Sequence, residues 1–404
     1  MSTWLIPRNE LTQDQLRAID FDTAKNRMIL GGPGSGKTQV LLHRAKYLRD
    51  LLKCSDDDYR IFVYTSVLST FVKHSLTVLG IPETSVSTVD KWCMDYYRSQ
   101  IGGRLPWKNK SFDFDAIRDA VIASVSASRE KLYRYVLVDE AQDLTPEILA
   151  TLRQISEHVT VCADHKQQLY DTGSSIEQIL MSIGIQKSNI SLIETFRCCP
   201  YIVEVAAELI ENSAEREAYL NQSRSSQSER EKLVYYLASS ADDEKTKLAD
   251  AIRGRLTRGE RIAVLFPQKR QAFGYAKGLS ELGLEVENPD QVDFSTSKPK
   301  LLPYHSAKGL TFDSVFLPRL LDDAFYHTNL DRKRKQLFVG ITRAVNWVYM
   351  TNNKEGGFEP LNELLSGASA RNITFRRHTD LQEFPDKAVK ETLKDIPTGI
   401  ADLL

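Results

Sequence analysis

The chain has 404 residues, 42% hydrophobic and 26% charged, with a formal net charge of −1 and a pI near 6.7. That length suits two or three domains, and the composition is that of an ordinary globular protein, which excludes disordered and fibrous classes. The near-zero net charge excludes a globally basic nucleic-acid binder, so any polyanion site must be a local patch.

Cys54, Cys93, Cys162, Cys198 and Cys199 show no metal-ligand spacing, and their odd number argues against a disulfide framework. The start "MSTWLIPRNELTQDQ" lacks a basic n-region followed by a long apolar run. No apolar run approaches the ~20 residues of a membrane span. The expectation is a soluble cytoplasmic chain with no membrane partner.

From the N-terminus, short β-branched runs alternate with helical patterns: "NRMIL", "TQVLLHRAKYLRDLLK", "RIFVYTS", "LSTFVKHSLTVLG", then "YVLVDE". Strands separated by helix-length segments predict parallel α/β sheets. A second series starts near residue 190 with "ISLIETF" and continues through "KLVYYLAS", "RIAVLFP", "LEVEN", "KLLPYHS", "DSVFLP" and "NWVYMTN". Two such series predict two α/β domains. The polar stretch "LNQSRSSQSEREK" at 220–232 reads as a surface loop or short linker. The tail after about residue 365 is polar and Pro-punctuated, and is expected to be peripheral.

The first strand runs into "GGPGSGKT", residues 31–38, followed by a helix. This is G-x-x-x-x-G-K-T in the strand–loop–helix context that a P-loop requires. Its glycines let the backbone approach phosphates, and its N–H groups with the helix N-terminus favour an anion. Gly32, Pro33, Gly34, Ser35, Gly36, Lys37, Thr38 and Gln39 are therefore candidate ATP-binding residues. Lys37 would reach the β- and γ-phosphates, and Thr38 would hold Mg²⁺. The later strand "YRYVLV" ends in Asp139, Glu140, Gln142 and Asp143. An acidic turn is often simply solvated, but a buried carboxylate needs a cation or hydrogen bonds. With a P-loop present, Asp139 fits the Mg²⁺-holding acid, and Glu140 fits the group that orients and deprotonates water.

"DEAQD" after a P-loop resembles the superfamily 1 helicases of the UvrD/Rep/PcrA type, and the resemblance runs in the family's order across most of residues 10–350. It makes "LTQDQLRAI" the adenine-reading Q motif, with Gln15 as its glutamine. It puts Thr65 of "VYTSVLSTF" and Thr88 of "VSTVDKW" on DNA. In "VCADHKQQLY", Gln167 would sense the γ-phosphate and Tyr170 would face DNA. In "LIETFRCCP", Phe196 would stack on the base and Arg197 would be the first arginine finger. "YHSAKGLTFDSVF" would place His305 and Lys308 on DNA and Gly309 at the nucleotide. "LFVGITRAV" supplies Arg343 as the second finger. The catalytic set implied is Lys37, Asp139, Glu140, Gln167, Arg197 and Arg343.

The family's fold implies two RecA-like P-loop domains with the ATP cleft between them. Residues 1–98 and 135–188 would form the first domain, with 99–134 a short insertion where the family carries its 1B subdomain. Residues 189–365 would form the second, and 366–404 a tail. The 2B subdomain normally interrupts the stretch before motif V, yet "LEVENPDQVDFSTSKPKLLPYHSAKG" leaves room only for a loop. The implied activity is an ATP-dependent, 3′ to 5′ single-stranded DNA translocase or helicase, in DNA repair or anti-phage defence. An alternative is a DNA-activated ATPase subunit that senses or loads DNA for a partner nuclease or effector.

The DNA-facing positions depart from the family. Ser66, Val89 and Thr172 stand where aromatics are usual, Asp90 replaces a histidine, and Pro303 and Thr311 replace phosphate- and ribose-contacting residues. Base–aromatic stacking is worth about 1–3 kcal/mol per base, so weakened single-strand binding is expected. Trp92, Tyr96 and Tyr97 offer substitute rings, although aromatics at helical spacing are more often core. The basic runs "RKRK" at 332–335 and "RGRLTRGER" at 253–261 offer phosphate contacts, although such runs are usually solvated faces.

Overall fold

The computed structural model describes residues 5–32, 34–108, 111–128, 130–164, 173–193, 198–222, 231–326 and 328–381. Its strands in chain order are β1 (Arg27–Gly31), β2 (Tyr59–Val63), β3 (Val86–Thr88), β4 (Trp107–Lys108), β5 (Ser111–Phe112), β6 (Tyr133–Val138) and β7 (Ser156–Ala163). There follow β8 (Ile190–Ile193), β9 (Leu233–Leu237), β10 (Ile262–Phe266), β11 (Lys300–Pro303), β12 (Phe312–Leu317), β13 (Ala344–Asn352) and β14 (Ile373–Arg377). One sheet has the order β3-β2-β6-β7-β1-β8 and the other β11-β10-β12-β13-β9-β14. Both are parallel throughout. Helices cover both faces, so the central strands read as continuous apolar runs: the last four residues of β6 are all buried. The expected pair of RecA-like α/β domains is what forms.

The chain order places the chemistry. β7 lies between β1 and β6, so the P-loop at the end of β1 and the acidic turn at the end of β6 flank Asp164, just past β7. The helices after β2 and β3 start at Thr65 and Thr88, whose hydroxyls accept from the N–H groups of Leu68 and Lys91. Those caps satisfy donors that the first helical turn leaves unpaired.

Several boundaries differ from the sequence expectation. "ISLI" is β8 and pairs with β1, so the first sheet ends there and the second domain begins later than residue 189. The tail is not peripheral at its start, because "ITFRR" is β14, paired with β9 at the edge of the second sheet. "LEVEN" makes only an isolated bridge, Glu287 to Lys300. The described part of 99–134 holds the antiparallel hairpin β4–β5 and the helix Phe114–Ser128.

The loop between Glu287 and Lys300 reaches the other lobe. Lys300 is 1% exposed and its ammonium holds Glu287 at 2.8 Å, the Asp293 carbonyl at 2.7 Å and Thr296 Oγ1 at 2.9 Å. A buried pair of this kind survives only when such extra hydrogen bonds offset its desolvation. The loop so fixed sets buried Phe294 edge-on to Phe71, 5.3 Å between centroids, on the helix Ser66–Val78 of the first lobe.

A second buried network joins the helix after the P-loop to β7. Arg44, fully buried, donates to the carbonyls of Ile19 and Phe21, to Thr160 Oγ1 and to His158 Nε2 at 3.1 Å. Protonating His158 would remove that acceptor and set a second cation beside Arg44. Burial first, and then Arg44, push the His158 pKa down to about 3. An unfolded histidine takes a proton near pH 6.5, so this contribution to stability is full above that value and is lost as pH falls toward 3. At pH 5 the loss should be about 2 kcal/mol, by linkage between those two values. Chemical denaturation at pH 7 and pH 5 should show this sensitivity, reduced in His158→Gln. An equal loss in both proteins would contradict it.

Candidate nucleotide site between the lobes

The P-loop is built to wrap an anion. Gly36 has φ +84°, and a Cβ there would come 2.7 Å from Gln15 Nε2, so only glycine fits the turn and the close approach. Gln15 caps its own helix reciprocally with Thr12 and donates to the Ser35 carbonyl at 2.8 Å. Its amide thus braces the loop, whatever it does for adenine. Gln39 likewise accepts from the Ile6 N–H at 3.0 Å. Ser35 Oγ is buried with no hydrogen-bond partner among the described residues, a polar atom a phosphate oxygen would satisfy. The Lys37 ammonium lies on the carbonyls of Gly31 (2.7 Å) and Gly32 (3.1 Å), with Asp164 at 3.5 Å.

The acidic turn meets the P-loop directly. Thr38 Oγ1 donates to Asp139 Oδ2 at 2.7 Å. Glu140 adopts a left-handed conformation, φ +51°, which costs a non-glycine residue strain of the kind found at functional sites. Gln142 fixes it, donating to Glu140 Oε2 at 2.5 Å while accepting from the Asp164 N–H. The two neighbouring carboxyls are pushed apart. Burial and then the Glu140 charge raise Asp139 to about 6. Burial would raise Glu140 as well, but Lys308, Lys37 and Arg343 outweigh it and hold Glu140 below its usual value. Glu140 therefore stays ionised as a base, and Asp139 is the carboxylate that a cation would stabilise. A hydroxyl and a carboxylate oxygen together suit Mg²⁺, which binds hard oxygens and keeps several waters.

The second lobe closes over this turn. Lys308, expected on DNA, is fully buried, 2.5 Å from Asp143 and 3.9 Å from Glu140. Excluded from solvent and paired with two carboxylates, the Lys308 ammonium faces the acidic turn in this structure and not a surface open to a strand. Gly309, φ +79°, brings its carbonyl within 3.4 Å of Thr38 Oγ1, and a Cβ there would meet Leu68 at 2.9 Å. Arg343 is 2% exposed, held by the carbonyls of Val339 and Leu310, with its charge felt at Glu140.

Pro33, Gln167, Tyr170, Phe196 and Arg197 lie outside the described residues. Thr65 and Thr88 stand together at the ends of paired strands β2 and β3, each at a helix N-terminus, where an anion is favoured. His305 is exposed just past β11. Asp143 was named in the acidic turn without a role, and Asp164 was not singled out by sequence; an acid just past a strand beside the P-loop strand was the available signal for Asp164. The basic runs are largely neutralised. Arg334 pairs with Glu211 and Glu363, Lys333 with Asp322, Lys335 with Asp331, Arg255 with Glu231 and Glu260, and Arg261 with Asp313. Trp92 is buried against Phe62, which leaves it as core. No helix among the described residues is long and apolar enough to cross a membrane.

Residues 15–172 match a family model described as an AAA domain, and residues 301–351 match the UvrD-like helicase C-terminal domain. Among curated proteins, the ATP-dependent DNA helicase srs2 of Schizosaccharomyces pombe is 22% identical over 303 residues, covering 74% of this chain and 31% of that protein. A "Probable DNA helicase" of Mycoplasma pneumoniae is 24% identical over 240 residues, 54% of this chain and 43% of that protein. The ATP-dependent DNA helicase PcrA of Bacillus subtilis is 32% identical over 102 residues, 22% of this chain and 14% of that protein. The chain thus spans less than half the length of each of these relatives. Matches on both lobes, together with these relatives, support placing the chain with the UvrD/Rep/PcrA-type superfamily 1 helicases.

Proposed function

We propose that the chain hydrolyses ATP between its lobes and couples hydrolysis to 3′ to 5′ movement on single-stranded DNA. The observation that carries this reading is the meeting of Thr38, Asp139 and Glu140 with Lys308, Gly309 and Arg343 across the cleft. Thr38 and Asp139 would hold Mg²⁺, which would supply neutralisation of phosphate charge. Lys37 binds those phosphates from the first lobe. Glu140 orients and deprotonates the attacking water. Arg343 adds positive charge from the second lobe as the transition state forms; the family resemblance gives Arg197 the same role, Gln167 the sensing of the γ-phosphate and Phe196 the stacking on the base. Because the charges come from both lobes, turnover depends on closure, and closure moves Thr65 and Thr88 relative to His305 along a strand. DNA repair or anti-phage defence is the setting the reading fits.

A second reading has its own support. Among the described residues, 102–132 contribute a hairpin and a helix, and the Glu287–Lys300 loop is used to contact the other lobe. A core so reduced suits a DNA-activated ATPase that senses or loads DNA for a partner nuclease or effector. Strand displacement on duplexes with 3′ or 5′ tails separates the two. The motor reading expects ATP-dependent displacement from 3′ tails only. Stimulated hydrolysis without displacement would favour the second reading, and displacement from 5′ tails alone would refute the assigned direction.

A further inference from the structure

The short insertion carries an aromatic side chain that the fold does not need. Trp107 on β4 is 57% exposed, although burying such a ring is worth several times the thermal energy. The ring is nonetheless held. It packs edge-on to Phe112, its cross-strand partner on β5, at 4.8 Å, and Phe112 packs on Phe114 at 6.4 Å. The Asp113 N–H to Pro106 carbonyl bond, 3.0 Å, closes the base of the hairpin. A ring held at a fixed angle by its neighbour, with more than half of the residue's surface open to solvent, is preorganised to stack.

Its place in the fold matters as much. The helix Phe114–Ser128 that follows the hairpin lies alongside the helix Val89–Tyr96, tied by Arg118 to Asp90 at 2.6 Å and by Tyr96 to Ser124 at 3.3 Å. Asp90 is in the first turn after the Thr88 cap, so the hairpin stands at the end of the lobe where Thr65 and Thr88 present helix N-termini. The hairpin itself carries uncommitted positive charges. Arg104 and Lys108 are exposed and form no ion pair among the described residues. Asp113 is occupied capping Ala116 N, and Asp115 is paired with Arg118. A flat aromatic face beside uncommitted cations recognises a ligand with planar rings and a chain of negative charge.

We propose that Trp107 is a base-stacking platform for single-stranded nucleic acid, flanked by Arg104 and Lys108 as phosphate contacts. The proposal rests on the DNA-coupled reading above and adds a site to it. It also answers the loss of rings at Ser66 and Val89, since the substitute is not buried Trp92 but the hairpin ring.

The test is the affinity of the full chain for a labelled oligothymidylate, measured by anisotropy across a salt series. Trp107→Ala should bind about 5- to 150-fold more weakly, with Trp107→Phe recovering most of the loss. Lys108→Ala should flatten the salt dependence by about 0.7 in the log–log slope. Circular dichroism and melting, unchanged in Trp107→Ala, exclude misfolding. Native affinity in Trp107→Ala would overturn this inference alone, leaving DNA coupling intact and the ring to a protein partner. No binding by the native chain would overturn both.

Discussion

Replacing Glu140 with glutamine should slow ATP turnover by about 10²- to 10⁴-fold, the usual worth of a positioned general base, and leave nucleotide binding intact. The substitution keeps size and polarity while removing the group that takes the proton. The surroundings tolerate it. Lys308 retains its 2.5 Å partner Asp143, and the left-handed backbone at 140 asks no more of glutamine than of glutamate. Losing the Glu140 charge also removes one of the two influences that raise Asp139. Asp139 should then ionise more readily, so binding of the magnesium–nucleotide pair should be preserved or tightened. Equilibrium binding of a fluorescent nucleotide, with single-turnover hydrolysis on the same variant, separates the two effects. Turnover at the native rate would mean that Glu140 is not the base.

Arg343→Ala should likewise bind ATP near-normally and hydrolyse it at least ~10²-fold more slowly, since arginines aimed at a transferring phosphoryl group are worth 10³–10⁵ in rate. Arg343 is buried at the edge of the second lobe, and its guanidinium is already aimed by the Val339 and Leu310 carbonyls. Its charge is felt at Glu140, so its loss should also let the Glu140 pKa rise toward the usual range. The consequence is a pH–rate profile whose acidic limb moves to higher pH in the variant. A purely structural arginine would lower melting temperature without moving that limb. Rapid-quench kinetics across pH 5–8 on a variant that melts normally decides between them.

The nucleotide half of this site was legible in the sequence because its requirements are local. A P-loop needs glycines at fixed offsets before a helix, and "GGPGSGKT" supplies them. "DEAQD" at the end of an apolar strand likewise names its own geometry. What the sequence hid depends on partners distant along the chain. "ISLI" is as apolar as a strand of either sheet, and only its pairing with β1 assigns it to the first. β14 was obscured because β-branched and aromatic residues there are mixed with charges, as edge strands often are. Lys308 was set on DNA by its motif, but its burial and pairing depend on Asp143, which lies 165 positions away in the chain. Phe294 and Trp107 look alike in a sequence, one aromatic in a polar loop each. Burial against Phe71 makes the first a contact between lobes, and exposure beside Arg104 and Lys108 is what the proposed stacking role of the second rests on.

The central claim is that hydrolysis in the interlobe cleft is coupled to DNA lying across both lobes. Steady-state ATP turnover by the full chain, with and without oligothymidylate at low salt, tests it most directly. The account predicts slow turnover alone and a marked rise on adding the strand, with saturation at the concentration that saturates binding. That rise should vanish in Glu140→Gln and shift to higher strand concentration in Trp107→Ala. Turnover of the native chain that is indifferent to single-stranded DNA, under conditions where the strand is bound, would contradict it.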